Sequence, residues 1–142
     1  EVAYDVYTLE NAHNQVGSGM VGELAGPVDE AAFLQAIKTK LNTPMIRHTA
    51  LLGKPVTKVA WCGGSGSFLL QDAIRAGAQV YITGDFKYHE FFDAEDKIVI
   101  ADIGHYESEQ FTPEIIHSFL QKKFSNFALY FTQVNTNPIN YV

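Results

Sequence analysis

From residue 56 onwards, short apolar runs of strand length alternate with segments of helical pattern. The strand-like runs are VTKVAWC, AQVYITG, KIVIAD and FALYFTQV, and helical patterns lie between them in SFLLQDAIRAG, DFKYHEFFDAED and IGHYESEQFTPEIIHSFLQKKF. Strands separated by helices are joined by right-handed crossovers and lie parallel to one another. The alternation therefore predicts an α/β fold with three layers, α-β-α, around a largely parallel sheet.

The first 26 residues do not share this rhythm. Val2 to Leu9 alternates large apolar and smaller residues, which is typical of a strand, and the following glycines indicate a tight hairpin. After Pro27 the sequence predicts a helix with Asp29 as its cap. We therefore expect a boundary near Pro27, with one unit over residues 1–26 and the α/β unit over residues 27–142.

Composition excludes several classes of protein. The net charge of −6 and the lack of a basic stripe argue against a nucleic-acid partner. No apolar run reaches the roughly 18 residues that span a bilayer, so no membrane partner is expected. The single cysteine, Cys62, cannot form an intrachain disulfide and is expected in the core. These features favour a globular protein of the reducing cytoplasm.

Unusual residues follow three of the predicted strands, where an open parallel sheet binds its ligands. The turn Gly63-Gly64-Ser65-Gly66 follows the first strand, and its N–H groups could bind an anion. Asp85 and His89 follow the second strand, four residues apart, and His105 and Glu109 follow the third with the same spacing. This spacing places both members of a pair on one face of a helix.

Each of these features also has a purely structural interpretation. Glycine-rich turns often serve close packing alone, and Asp85 could simply cap a helix. His89 could be a partly buried histidine beside aromatic residues, and His117 is expected to be solvated. The acidic residues Glu107 and Glu109 could merely complement the positive end of a helix.

The pair formed by His105 and Glu109 is the strongest candidate for metal binding. A histidine and a glutamate at positions i and i+4 can reach one cation from one helix face. Imidazole and carboxylate suit zinc, iron, manganese or nickel. A catalytic zinc normally has about three protein ligands, so two residues form an incomplete site.

Three segments carry a resemblance to a known family. CGGSGS, GAQVYITGDFKYHEFFDA and DIGHYESE occur in order, and together they resemble the carboxyl half of the NGG-one-interacting-factor-three-like family, also called GTP cyclohydrolase 1 type 2 homologues. The resemblance implies that residues 27–142 form one lobe of a two-lobed fold. It also implies that residues 1–26 are the end of an inserted ferredoxin-like domain with its glycine-rich connecting hairpin.

The same resemblance implies a dinuclear metal site between the two lobes. His105 and Glu109 match the ligands from the carboxyl half, whereas the amino-terminal half supplies two histidines and an aspartate. We therefore expect this chain to be a carboxyl-terminal fragment that carries half of the site and binds metal weakly or not at all. The full-length chain is expected to bind two cations. Asp85 or His89 would orient groups around the metal. Full-length members of the family often assemble as toroidal hexamers, so the chain itself is an expected partner.

Three functions remain open at this point. The first is a metal-dependent hydrolase for a nucleotide or other phosphate-bearing small molecule, with Gly63 to Gly66 binding the phosphate; the fragment alone is expected to be inactive. The second is a non-enzymatic protein that binds or delivers metal. The third is a scaffold for protein interactions.

Overall fold

The computed structural model describes residues 6–8 and 17–142, with side chains from residue 17 onwards. The strands are β1 Val6–Thr8, β2 Met20–Val28, β3 Arg47–His48, β4 Val56–Ser65, β5 Val80–Gly84 and β6 Val99–Asp102. The α-helices are α1 Glu30–Lys40, α2 Leu70–Arg75, α3 His105–Glu109 and α4 Thr112–Lys123. Two 3₁₀ helices cover Ser67–Leu69 and Tyr88–Ala94.

The six strands form one sheet in the order β1-β2-β4-β5-β6-β3. The three central strands β4, β5 and β6 are parallel, as the alternation of strands and helices predicts. The flanking strands β1, β2 and β3 pair antiparallel with their neighbours. The α/β fold is thus confirmed, and parallel pairing is confined to the middle of the sheet.

Side chains of the central strands alternate between two cores. In β5, Val80 and Ile82 face the core under α1, whereas Tyr81 faces the opposite core under α2 and the second 3₁₀ helix. Phe33 of α1 and Ala73 of α2 are buried on these two sides. A sheet covered on both faces gives the predicted three layers.

Helix α1 begins as its sequence predicts. The Oδ1 atom of Asp29 accepts a hydrogen bond from the Ala32 N–H at 2.9 Å, which satisfies one of the free donors at the helix start. Cys62 also lies where it is expected, buried in the core on the α2 side. The Cys62 thiol donates to the Ser18 carbonyl, and burial raises the pKa of this thiol.

The predicted boundary near Pro27 falls inside a strand. Strand β2 runs from Met20 to Val28 and pairs with β4 from Met20 to Glu23 and again at Val28. Of the described part of the predicted glycine-rich hairpin, residues 20–24 thus belong to a strand of the sheet, whereas residues 17–19 precede it as irregular backbone. Of the predicted first strand over residues 2–9, residues 6–8 are a strand, whereas residues 1–5 and 9–16 lie outside the described part of the chain.

The strand predicted at residues 127–134 is wrong, since no strand occurs between residues 124 and 142. The place beside β6 is occupied by β3, and residues 124–142 pair with no strand of the sheet. Helix α4 also has no buried residue. The expected solvation of His117 is only partial, because its ring stacks on Phe131 with 4.2 Å between centroids.

In the part of the chain that the structure describes, every helix is too short or too polar to span a bilayer.

Candidate metal centre

The carboxyl ends of β4, β5 and β6 bring the three predicted segments together. Ser65 is level with Gly84, and Thr83 is level with Asp102, so the three strands end at one edge of the sheet. Helix α3 begins at His105, three residues after β6 ends, and packs across the end of β4.

His105 and Glu109 lie side by side on the exposed face of α3. The Nε2 atom of His105 is 3.3 Å from Oε2 of Glu109. Both side chains are about half exposed, at 48% and 50%. A ligand from solvent can therefore reach the imidazole nitrogen and the carboxylate together.

Asp85 orients the His105 ring from the opposite side. Its Oδ2 atom lies 2.6 Å from Nδ1 of His105. A carboxylate only accepts hydrogen bonds, so the Nδ1 atom carries the proton that faces Asp85, and a cation would take the place of any proton on Nε2, next to Glu109. The hydrogen bond to Asp85 raises the pKa of His105, and the nearby Glu109 carboxylate raises it further.

The structural interpretation of Asp85 as a helix cap is wrong. The 3₁₀ helix that follows begins at Tyr88, and its cap residue is Lys87. Asp85 instead adopts a left-handed backbone conformation with φ of 60°, which aspartate tolerates better than most residues. A strained residue that holds a candidate ligand is typical of functional sites.

His89 does not join the cluster. It lies within the 3₁₀ helix, is exposed, and packs edge-on against the ring of Tyr88 at 5.2 Å between centroids. Asp85 precedes this helix, so the two residues do not share a helix face. None of the described contacts joins His89 to His105 or Glu109.

The segment Gly63 to Gly66 is not an open turn. Its first three residues are the end of β4, and the Gly64 N–H donates to the Ser108 hydroxyl of α3 at 2.7 Å. The Gly66 carbonyl accepts from the Tyr81 hydroxyl at 2.7 Å. The Gly64 N–H is thus engaged by α3, which corrects the prediction of an anion-binding loop at this residue.

Two glycines allow α3 to approach the sheet closely. A Cβ atom at Gly64 would lie 2.6 Å from Oε1 of Glu109, and Gly64 also has a positive φ of 65°. A Cβ atom at Gly84 would lie 2.8 Å from the backbone nitrogen of His105. The absence of side chains at these positions brings both candidate ligands against the ends of β4 and β5.

Two buried carboxylates beneath the site were not predicted as site residues. Asp102 accepts hydrogen bonds from the N–H groups of Phe86 and Gly104, both at 3.0 Å, and pairs with Arg47. Glu107 is 3% exposed, so it does not act only as a solvated charge at a helix end. For Asp102, the sequence did offer a signal, because this residue stands at the end of an apolar strand. For Glu107, no sequence pattern indicated that its side chain is buried.

The imidazole and carboxylate of the site are suitable ligands for a divalent cation, but there are too few of them. Metal-binding histidines almost always donate their second ring N–H to a carboxylate or carbonyl, as His105 does. Among residues 17–142, however, no group of three or more histidine, cysteine, aspartate or glutamate side chains is arranged to hold a metal. His105 and Glu109 are thus two suitable ligands of a site that requires others.

An apolar cavity of about 460 Å³ adjoins this site. It lies between α1 and the sheet, and Gly63 and Ser108 form part of its wall. Gly63 also lies against the site, since a Cβ atom there would be 3.7 Å from Cγ of Glu109. Among the described residues, Lys40 is the only charged one that lines the cavity.

Comparison with known proteins identifies relatives over nearly the whole chain. The model of the Duf34/NIF3 (NGG1p interacting factor 3) family matches residues 4–138. A Staphylococcus epidermidis protein named GTP cyclohydrolase 1 type 2 homolog is 33% identical over 135 residues, which cover 92% of this chain and 37% of that protein. A Bacillus subtilis protein of the same name is 33% identical over an alignment that covers 100% of this chain and 39% of that protein.

Solved structures show the same relationship. The Staphylococcus aureus protein SA1388 superimposes with a TM-score of 0.76 at 28% identity, covering 89% of this chain and 42% of that one. A Bacillus cereus protein related to NIF3 gives a TM-score of 0.72 at 30% identity, with coverages of 87% and 36%. The chain thus spans less than half the length of these relatives. The motifs around His105 and the family match show that the chain belongs to the Duf34/NIF3 family.

Proposed function

We propose that His105 and Glu109 bind a divalent cation and that Asp85 orients the His105 ring for this purpose. One observation carries the proposal: Nε2 of His105 lies 3.3 Å from Oε2 of Glu109 while Nδ1 is held by Asp85 at 2.6 Å. Two ligand atoms of one tetrahedral zinc, each about 2.0–2.2 Å from the metal, are about 3.3–3.6 Å apart. The observed separation falls in this range.

We further propose that other protein groups complete the site. A stable catalytic site needs at least one more protein ligand, and the described residues offer none nearby. More than half of each relative lies outside the region that this chain matches. The remaining ligands would come from such a further lobe, giving two cations in a full-length protein. Zinc, iron, manganese and nickel all suit the ligands present.

For the longer protein we propose metal-dependent hydrolysis of a nucleotide or other phosphate-bearing molecule. A bound divalent cation would supply a hydroxide nucleophile by lowering the pKa of a coordinated water towards about 7. In this chain, Asp85 would keep the proton on Nδ1 of His105, and the cavity beside Gly63 would take an apolar part of the substrate. The relatives' name as GTP cyclohydrolase homologs supports this reaction class. A homo-oligomer in the cytoplasm, hexameric as the resemblance implies, is the assembly that we propose.

Metal delivery is the second candidate function. Its support is the exposure of both ligands to about half of their surface, which would let a cation exchange with an acceptor. The two functions differ in outcome. A hydrolase turns over substrate only when it is loaded with metal, whereas a delivery protein transfers its metal to a chelator or an apo-protein without turnover.

Calorimetric titration of the 142-residue chain with Co²⁺ or Zn²⁺ tests the metal proposal. We expect weak, saturable binding that is lost in His105→Ala and in Glu109→Ala. His48→Ala is the matched control, because His48 is an exposed histidine whose Nδ1 faces the Thr49 carbonyl instead of a carboxylate. Binding that persists unchanged in both ligand variants would show that the ligands are wrong.

A further inference from the structure

We propose that Tyr141 and Asn137 are positioning residues for the candidate metal ligands and that they act through Glu107. The inference rests on the proposed function, because it concerns the geometry of His105 and Glu109. Residues 137–141, here named the C-terminal clamp, would hold α3 in the position that brings the two ligands together.

The clamp contacts α3 at one side chain. The Tyr141 hydroxyl donates to Oε1 of Glu107 at 3.0 Å, and the Asn137 amide donates to the same oxygen at 3.4 Å. Glu107 lies midway between His105 and Glu109 in the sequence of α3. The contact therefore acts on the buried face of α3, opposite the exposed face that carries the two candidate ligands.

Glu107 needs these two donors because of its surroundings. It is 3% exposed, and its second oxygen, Oε2, is buried without a hydrogen-bond partner among the described residues. That oxygen packs against Gly104, where a Cβ atom would lie only 2.3 Å away. A buried polar group without partners is strongly unfavourable. Without the clamp, both oxygens would lack partners, and the side chain would turn towards water.

A rotation of Glu107 would move the ligands, because α3 cannot maintain its own position. The helix has five residues, far fewer than an isolated helix needs for stability. Three other polar contacts anchor α3 and the residue after it: Gly64 to Ser108 at 2.7 Å, Asp85 to the His105 ring at 2.6 Å, and Gln110 to the Leu41 carbonyl at 2.8 Å. None of these contacts engages the Glu107 side chain, so loss of the clamp would leave the middle of the helix without an anchor of its own. The 3.3 Å separation of Nε2 and Oε2 would then change.

The test uses Tyr141→Phe, which removes one hydroxyl and keeps the ring. We expect about a tenfold loss of Co²⁺ affinity, which is the lower end of the effect of losing a group that supports metal ligands. The visible spectrum of bound Co²⁺ should also change. The matched control is Tyr130→Phe, because Tyr130 lies in the same segment and is 90% exposed. It should change neither the affinity nor the spectrum.

A double-mutant cycle with Glu107→Ala separates positioning from a general loss of structure. If the clamp acts through Glu107, Tyr141→Phe should have no further effect on Co²⁺ affinity in the Glu107→Ala background. An equal loss in both backgrounds would overturn the proposal, as would unchanged affinity in the single variant.

Hydrogen exchange in the metal-free chain tests the clamp without depending on metal binding. The Ser108 N–H, bonded to the Gly104 carbonyl, reports on α3. We expect faster exchange of this amide in Tyr141→Phe and no change in Tyr130→Phe. Absence of Co²⁺ binding to the wild-type chain would overturn the metal site alone, whereas unchanged exchange in Tyr141→Phe would overturn the clamp.

Discussion

The Nδ1 atom of His105 lies 2.6 Å from the carboxylate of Asp85, although the two residues are 20 positions apart in the chain. The parallel arrangement of β5 and β6 creates this contact, because Asp85 follows one strand and His105 follows the next. The hydrogen bond fixes the ring tautomer and raises the pKa of His105 above its usual value of 6.5. It therefore sets both the direction of the lone pair and the proton affinity of the candidate ligand.

Asp85→Asn should lower the pKa of His105 and weaken metal binding by about tenfold. The substitution removes the negative charge that favours the imidazolium form, while asparagine tolerates the positive φ of this position. An NMR titration of the His105 ring in the metal-free chain measures the pKa, and calorimetry with Co²⁺ measures the affinity.

The sign of the accompanying stability change follows from linkage. Because the pKa of His105 is raised in the folded chain, the ion pair stabilises the fold below pH 6.5 and loses its effect as the pH rises through the folded-state pKa. Asp85→Asn should thus destabilise the chain more at pH 6 than at pH 8. Asp93→Asn removes an equal charge from an exposed position nearby, and the same pH dependence in that variant would contradict the specific role of Asp85.

Gly64→Ala should displace Glu109 and reduce metal affinity. The new Cβ atom would lie 2.6 Å from Oε1 of Glu109, and alanine at a φ of 65° carries a further strain of about 1–2 kcal/mol. Urea denaturation should therefore show a loss of at least about 1 kcal/mol in the free energy of unfolding.

Gly63→Ala is the matched control for that substitution. A Cβ atom at Gly63 would make ordinary contacts of 3.7 Å and 3.8 Å with α3, at a position without positive φ. We expect the free energy of unfolding to change by less than about 0.5 kcal/mol and Co²⁺ affinity to be kept. Equal behaviour of the two variants would show that the close approach at Gly64 is unimportant.

Much of the fold was predictable because its signals are local. The strands β4, β5 and β6 are apolar runs, and α1 carries its own cap at Asp29, so each is encoded within a few residues. The spacing of His105 and Glu109 is equally local, since a single helix turn places them side by side.

The remaining features depend on contacts that no local pattern encodes. Glu107 and Tyr141 are 34 residues apart, and Asp102 meets Arg47 across 55 residues. The wrongly predicted strand at 127–134 shows the converse: its apolar run is suitable for a strand, but the segment pairs with no strand of the sheet. Local pattern thus predicts which element can form, whereas the sheet decides whether a partner is available.

Glu30→Ala should destabilise the fold without changing the site. The buried Glu30 carboxylate accepts the N–H groups of Leu52 at 3.1 Å and Gly53 at 2.8 Å. Alanine leaves both donors unpaired, and each unsatisfied group costs about 1–3 kcal/mol, so we expect a loss of at least about 2 kcal/mol in urea denaturation. Glu30→Gln keeps one acceptor oxygen and should lie between the alanine variant and the wild type. If Glu30→Ala lowered the free energy of unfolding no more than Glu30→Gln does, the role of the carboxylate as acceptor for both N–H groups would be contradicted.

Ile115→Ser should leave the stability of the 142-residue chain nearly unchanged, despite the large apolar side chain that it removes. Helix α4 buries no residue, Ile115 is 68% exposed, and isoleucine and serine have similar helix propensities. We expect a change below about 0.5 kcal/mol in the free energy of unfolding. Ile100→Ala, at a fully buried position of β6, should by contrast cost about 2–5 kcal/mol. Urea denaturation at two protein concentrations distinguishes an exposed α4 from one covered by a second copy, because a covered face would make the effect of Ile115→Ser large and concentration-dependent.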